Sequence, residues 1–331
     1  SHTHLSGTGI GDLGDVAILP FSGGDSIKPV AIFKKETEKA TPGYYAVHLD
    51  NFGINVELTS TDRVGFHKYT YDNPKDRRVL LDLGHVLQPN VGHKLVGNEY
   101  LFVNDSTVEG LSGRRDGTFP FCLLPDHILG ADRNTIPVYR TEIYGRFAVL
   151  ASQHTRRSEF QLQFAESNKP LYVKVAISPV DTDGAERNML AELRDGISML
   201  HAESARIWNK ALNDIRIESS DPKVMVNFYT ALYHTMIAPY AYQDVDGRYL
   251  GMDKKVHRAE PGYVNYSVFS LWDTFRALHP LMTIIQPERA ADWGKVLVQG
   301  YKEGGILPKW PLASSYTGCM VGYPAVSVLA D

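Results

Sequence analysis

Along the first half of the chain, apolar residues alternate with polar ones or gather in short β-branched runs, and Gly, Asn, Asp and Pro punctuate them. The clearest case is Tyr44–Leu49, which runs into Asp50-Asn51-Phe52-Gly53 and resumes as Ile54-Asn55-Val56-Glu57-Leu58-Thr59 with period two. This predicts a hairpin, because successive strand side chains point to opposite faces and Asn, Asp and Gly suit the turn. Arg78–Leu83, Tyr100–Val103, Phe119–Leu124, Phe147–Ala151, Phe160–Phe164 and Leu171–Ile177 read as further strands. Many short strands without a helical period between them favour an antiparallel sandwich over βαβ units.

After Val180 the period changes. Leu193, Ile197, Leu200, Ile207, Trp208 and Ala211 recur at helical spacing, predicting one helix or two with a break between about Ala185 and Asn213. Asp221-Pro222 is a helix start, an N-cap carboxylate followed by a proline whose missing N–H costs nothing at the first helical position. Val224, Phe228, Ala231, Leu232, Thr235 and Met236 mark the face expected to be buried, and Pro239 closes the helix. A third helix is predicted from about Val268 to Ile285, and a fourth from Pro287 to the Gly304-Gly305 pair. Strands followed by long amphipathic helices divide the chain into a β-domain at 1–180, linker helices at 181–217 and a helical domain at 218–331.

Composition narrows the partners. Lys and Arg number 34 against 38 Asp and Glu, a net charge of −4, so no basic surface of the kind that neutralises phosphates is expected and nucleic acid is excluded as a partner. No window reaches the roughly 18 to 20 consecutive apolar residues of a membrane span. With Cys122 and Cys319 the only cysteines, there is no disulfide framework, and one bridge or two thiols remain open. Ser1 in place of Met, with no charged and then apolar leader behind it, reads as a removed targeting segment or a piece cut from something longer.

Few stretches carry chemistry. The N-terminal run His2-Thr3-His4-Leu5-Ser6-Gly7-Thr8-Gly9 continues through Gly11-Asp12 to Gly14-Asp15, and its glycines let backbone approach a ligand while His and Asp supply polar groups. No Gly-Lys-Ser/Thr follows, so a phosphate cradle is excluded. Asp244-Val245-Asp246-Gly247 resembles the front of a calcium loop, but Arg248 stands where the next oxygen ligand belongs and Lys255 at the closing Glu position, which makes it a turn. In Leu271-Trp272-Asp273-Thr274-Phe275-Arg276, helical burial would bring Asp273 near the apolar side, where it needs a partner or a ligand. Arg276 is the structural candidate for that partner. A carboxylate beside Trp272 is equally the way proteins hold sugars, the acid taking hydroxyls and the ring covering an apolar sugar face. Trp310, flanked by Lys309 and Pro311, is either an aromatic sugar platform or a ring packed over a helix end. Nucleophile-elbow, Cys-x-x-Cys, His-Glu-x-x-His and dinucleotide patterns are absent from the sequence.

Taken in order, the His2–Asp15 block, Asp62–Tyr69, Phe228–Pro239, Asp244–Tyr249, Phe269–Pro280, Leu307–Leu312 and Tyr316–Asp331 resemble glycoside hydrolase family 92 over almost the whole chain. The resemblance implies an N-terminal antiparallel β-sandwich, linking helices and then part of a six-hairpin (α/α) barrel. It implies an inverting exo-α-mannosidase that trims mannose-containing glycans with Ca2+ as cofactor, using two carboxyl groups set roughly 6.5–9.5 Å apart. Asp273 matches the residue expected to bind the terminal mannose hydroxyls, with Trp272 and Arg276 beside it, Trp310 downstream, and His4 and Asp12 reaching in from the sandwich. The catalytic Glu and Asp and most calcium ligands are expected beyond Asp331, and the chain reads as truncated at both ends, so the segment alone is expected to be inactive. Glycan degradation implies a secreted, periplasmic or cell-surface location. The rival readings are a non-catalytic carbohydrate-binding or scaffolding module of the same fold, and another sandwich-plus-barrel glycosidase or phosphorylase.

Overall fold

The computed structural model of the protein describes residues 14, 16–23, 29–87, 94–104, 106–115, 134–135, 138–144, 147–150, 159–192 and 197–331. The chain divides into two compact units, the division falling between Trp208 and Asn209 for the residues after 136. In the first unit two sheets share one core. The smaller has the order Ala17–Phe21, Arg77–Asp82, Glu159–Phe164, Phe147–Leu150. The larger runs Lys39–Thr41, Tyr44–Leu49, Ile54–Ser60, Val64–Tyr71, Leu171–Ser178, Val138–Tyr144, Thr107–Arg115, Lys94–Phe102, with the short Asn134–Thr135 beside Thr107–Arg115. The pairings between these strands are antiparallel, as in Ile54↔Tyr71 and Val79↔Leu162.

Period two explains the core. Val79 and Leu81 of the smaller sheet and Ile54, Val56, Tyr69, Leu171 and Val173 of the larger one are buried in a single cluster, while their strand neighbours point away. The predicted hairpin forms as read, with Gly53 at φ 59 and its N–H donating to the Leu49 carbonyl at 2.9 Å. The opposite face of the larger sheet, through Val64, Phe66 and Ala176, is covered by α1 (Thr182–Glu192) and α2 (Ile197–Leu212). Ala185 and Met189 of α1 and Leu200 of α2 make that contact. Glu192 fastens α1 to the sheet, accepting from the Arg63 backbone N–H at 3.0 Å and from its guanidinium at 2.6 Å. Residues 193–196, between the two helices, lie outside the described residues, and Ile207, expected to be buried, is 53% exposed. Phe119–Leu124 and Cys122 lie outside the described residues.

In the second unit, α3 (Pro222–His234) starts on the predicted cap, the Asp221 carboxylate accepting from the Lys223 N–H at 2.9 Å. Of its expected inner face only Leu232 is buried, and Val224 is exposed, because no element among the described residues packs along this helix. The predicted third helix is two: α4 (Leu271–Thr274) and α5 (Leu278–Ile285). Pro280 accounts for the interruption, since it has no N–H to donate to the Arg276 carbonyl and its ring would clash there. It is tolerated as the third residue of α5, where an N–H has no intrahelical partner anyway. Next come α6 (Pro287–Gly304), stopped by Gly305 at φ 76, and α7 (Pro324–Ala330). Phe269, Leu271, Met282, Trp293, Val296, Leu297 and Ala325 form the core of this unit. The five helices among its described residues are too few to close a six-hairpin barrel. Among the described residues no helix is long and apolar enough to cross a membrane.

Candidate functional site

The stretch Phe269–Arg276 is built so that its anchors point in and its chemistry points out. Phe269 and Leu271 are buried, Phe269 meeting the Trp293 ring edge-on at 6.2 Å between centroids. Trp272, 40% exposed, and the exposed Asp273 follow on the one-turn α4. The backbone before them is strained. Val268 sits at φ 66, and Ala313, in the loop opposite, at φ 50. A β-branched residue in that region is unusual and is held only where its surroundings over-determine it. The restraint is visible: the hydroxyl of Ser267 donates to the Ala313 carbonyl at 2.8 Å, tying one strained position to the other.

Asp273 does not enter the apolar side, contrary to the helical expectation, because α4 ends after one turn and leaves its third residue facing out. Its partner is the hydroxyl of Ser270, which donates to Oδ2, and not Arg276. The exposed Arg276 guanidinium instead lies over the Phe275 ring at 5.3 Å. Trp310 is 4% exposed and its indole N–H donates to Ser270 Oγ at 2.6 Å, so of its two readings the structure shows the packed ring and no open platform. Nothing in the sequence pattern singles out Ser270 as a site residue. His4 and Asp12 lie outside the described residues.

Four other carboxylates of this unit, Asp244, Asp246, Asp253 and Glu303, are committed elsewhere. Asp244 is fully buried 3.6 Å from Arg248, and Asp246 caps the Arg248 N–H, so Asp244–Gly247 is the turn that leads into the hairpin Arg248–Leu250/Val256–Arg258. Glu303 accepts from the Tyr249 hydroxyl at 2.7 Å, the Met252 N–H at 3.0 Å and the Gln299 amide at 3.0 Å. Burial, followed by that hydrogen bond, pushes Tyr249 far above the ordinary tyrosine range. Burial also pushes Asp253 up, but the His257 ring at 2.9 Å and the Lys255 N–H outweigh it and hold the carboxyl low. The Lys254 ammonium is inserted between the Ser314 carbonyl at 2.7 Å and the Ser315 hydroxyl at 2.5 Å, and desolvation lowers it to about 8.

Beneath these groups is a cavity of about 30 Å³ bordered by Tyr242, Asn265, Gln299, Glu303 and Pro308. That volume holds a water or two and no sugar. Among the described residues no group of three or more His, Cys, Asp or Glu is arranged to hold a metal ion. The implied calcium therefore finds no donor set here. Asp273 is thus the carboxylate of this region with an outward position and a single fixed donor, next to an open aromatic face.

Residues 1–178 match the N-terminal domain of glycosyl hydrolase family 92, and residues 184–331 match its catalytic domain. The chain belongs to glycoside hydrolase family 92. Among solved structures, it is similar to the family GH92 α-mannosidase BT3965 of Bacteroides thetaiotaomicron, at 31% identity and TM-score 0.87 over 99% of this chain and 46% of that one. BT3965 in complex with mannoimidazole matches at TM-score 0.86, 31% identity, 99% of this chain and 45% of that one. The family GH92 inverting mannosidase BT2199 from Bacteroides thetaiotaomicron VPI-5482 matches at TM-score 0.77 and 22% identity, over 95% and 42%. The chain spans less than half the length of these relatives. No curated protein matches it.

Proposed function

We propose that the protein removes terminal α-linked mannose from mannose-rich glycans by inverting hydrolysis, with Asp273 accepting sugar hydroxyls and Trp272 offering its ring to the sugar. The observation that carries this is the 31% identity along 99% of the chain to a mannosidase that has been captured with mannoimidazole. The outward Asp273 beside Trp272 supports it from the side of chemistry, since a carboxylate takes hydroxyl hydrogen bonds strongly when its position is fixed. In this reading the chain supplies sugar binding, and the acid and the base come from residues outside the described set. Ca2+ is proposed as the cofactor on the family resemblance, with ligands likewise outside that set. The same resemblance makes residues 1–180, 181–217 and 218–331 the sandwich, the linker and the first part of the barrel. A secreted, periplasmic or cell-surface location follows from where such glycans occur.

The test is release of mannose from an aryl α-mannoside by the protein made from its whole reading frame, with the product anomer followed by NMR. The expected product is β-mannose, with activity removed by chelator and restored by Ca2+. No release would overturn the mannosidase reading in favour of a binding module, and a retained anomer or undiminished rate in chelator would overturn the mechanism. The 331-residue chain by itself is expected to be inactive in the same assay. Turnover by it would return the acid and base to Asp244, Asp253, Asp273 and Glu303.

A further inference from the structure

A serine three residues ahead of a carboxylate at the start of a helix ordinarily makes a capping box, its hydroxyl taking the N–H of the third helical residue. Ser270 and Asp273 have that spacing and do something else. The Asp273 N–H goes to the Ser270 carbonyl at 3.0 Å, and no hydrogen bond from the Ser270 side chain caps α4. The hydroxyl is taken up twice elsewhere: it accepts from the Trp310 indole at 2.6 Å and donates to Asp273 Oδ2. The direction of this chain is fixed by chemistry. An indole N–H can only donate, so Ser270 must accept there, and its one proton is then free to be aimed at the carboxylate.

We infer that Ser270 and Trp310 are positioning residues that hold the Asp273 carboxylate in one orientation, with Oδ2 engaged from within and Oδ1 presented outward to a sugar hydroxyl. This rests on the reading of Asp273 as the residue that binds mannose. The anchor is rigid because Trp310 is 4% exposed and Thr317 Oγ1 donates to its carbonyl at 2.6 Å. Without the relay an exposed aspartate samples several rotamers, and ordering it on binding costs affinity. Trp310 therefore serves the sugar site from beneath, through two hydrogen bonds, without touching the ligand.

The experiment uses the protein made from its whole reading frame. Ser270→Ala and Trp310→Phe are each expected to lower kcat/KM on an aryl α-mannoside about tenfold, mostly through KM, with kinetics measured well below the melting temperature because Ser270→Ala also leaves the buried Trp310 N–H without its acceptor. Ser270→Thr, which keeps the hydroxyl, is expected to stay within about twofold of wild type. In an Asp273→Ala background, Ser270→Ala should cost nothing further, whereas a residue with a general structural role would still add its loss. The Trp310 indole N–H resonance should move upfield in Ser270→Ala, and a crystal structure of that variant should show the Asp273 carboxylate turned from its wild-type position. Wild-type kinetics in Ser270→Ala, or a full additional loss on top of Asp273→Ala, would overturn the inference while leaving the mannosidase reading intact. If wild type releases no mannose, the mannosidase reading fails separately, and an unmoved Asp273 in the Ser270→Ala structure then overturns the relay. Should Trp310→Phe fail to fold, the two serine variants decide.

Discussion

Asp273 and Asp244 lie in one unit of one chain, and their surroundings give them opposite duties. Asp244 is fully buried beside Arg248, so its removal empties a buried polar position, although the guanidinium keeps Asp246 at 2.9 Å. Leaving the polar partners of a buried group unsatisfied costs about 1–3 kcal/mol. Asp244→Ala should lower thermal stability by that order. Asp273 faces outward and touches only the Ser270 hydroxyl, so Asp273→Asn should leave the melting temperature nearly unchanged and reduce kcat/KM about 10- to 100-fold, the loss of a charged hydrogen bond to the sugar. A melting curve beside a kinetic assay separates the two; equal stability losses in both variants would contradict this assignment. Both residues stand out in the sequence as candidate chemistry, Asp244 in a broken loop pattern and Asp273 beside a tryptophan. The sequence could not show Ser270 between Asp273 and Trp310, because the third partner is 40 residues away and only folding brings it near.

Among the elements, periodicity was reliable and interruption was not. The pattern Leu271, Phe275, Leu278, Met282 reads as one helix, and only the backbone chemistry of Pro280 splits it into α4 and α5. The split matters, since it frees α4 to turn Trp272 and Asp273 outward while α5 packs on α6. That packing buries His279 against the Trp293 ring at 5.2 Å, with its Nδ1 lacking a hydrogen-bond partner. Burial lowers this imidazole to about 4, against a small opposing pull from Asp331. The folded state thus binds fewer protons than the unfolded one between about 4 and 6.5. The stability His279 contributes is complete above 6.5 and is lost as pH falls towards 4, by up to about 3 kcal/mol. His67, lowered to about 3, has the same sign, so the test is a difference. His279→Phe should gain on wild type in melting temperature as pH falls from 7.5 to 5. A constant gap between the two proteins across that range would mean that His279 is not buried neutral.

At the scale of the molecule, the order of texture along the chain, strands and then helices, is legible before any coordinates, because periods of two and 3.6 are local properties. The strand order is not, since Ala17–Phe21 pairs with Arg77–Asp82 and that in turn with Glu159–Phe164, partners chosen by burial across long separations. The result is two units, each with its own core: Val79, Leu81, Leu162 and their neighbours in one, Phe269, Trp293, Leu297 and theirs in the other. Separate cores predict separate cooperativity, so calorimetry should resolve two transitions, with a total enthalpy above the van't Hoff value of either. Each can be moved by itself. Glu192→Ala removes the carboxylate that receives Arg63 in the first unit and should lower one transition by about 2 kcal/mol. Gly304→Ala would favour a helix by about 1 kcal/mol in open surroundings. Here an added Cβ would stand 2.5 to 2.9 Å from the Tyr316 hydroxyl and ring, a ring whose hydroxyl donates to the Gly300 carbonyl at 3.0 Å and cannot retreat without losing that bond. The sign therefore reverses, and Gly304→Ala should lower the other transition alone. A single transition shifted equally by both variants would mean that the two cores unfold as one.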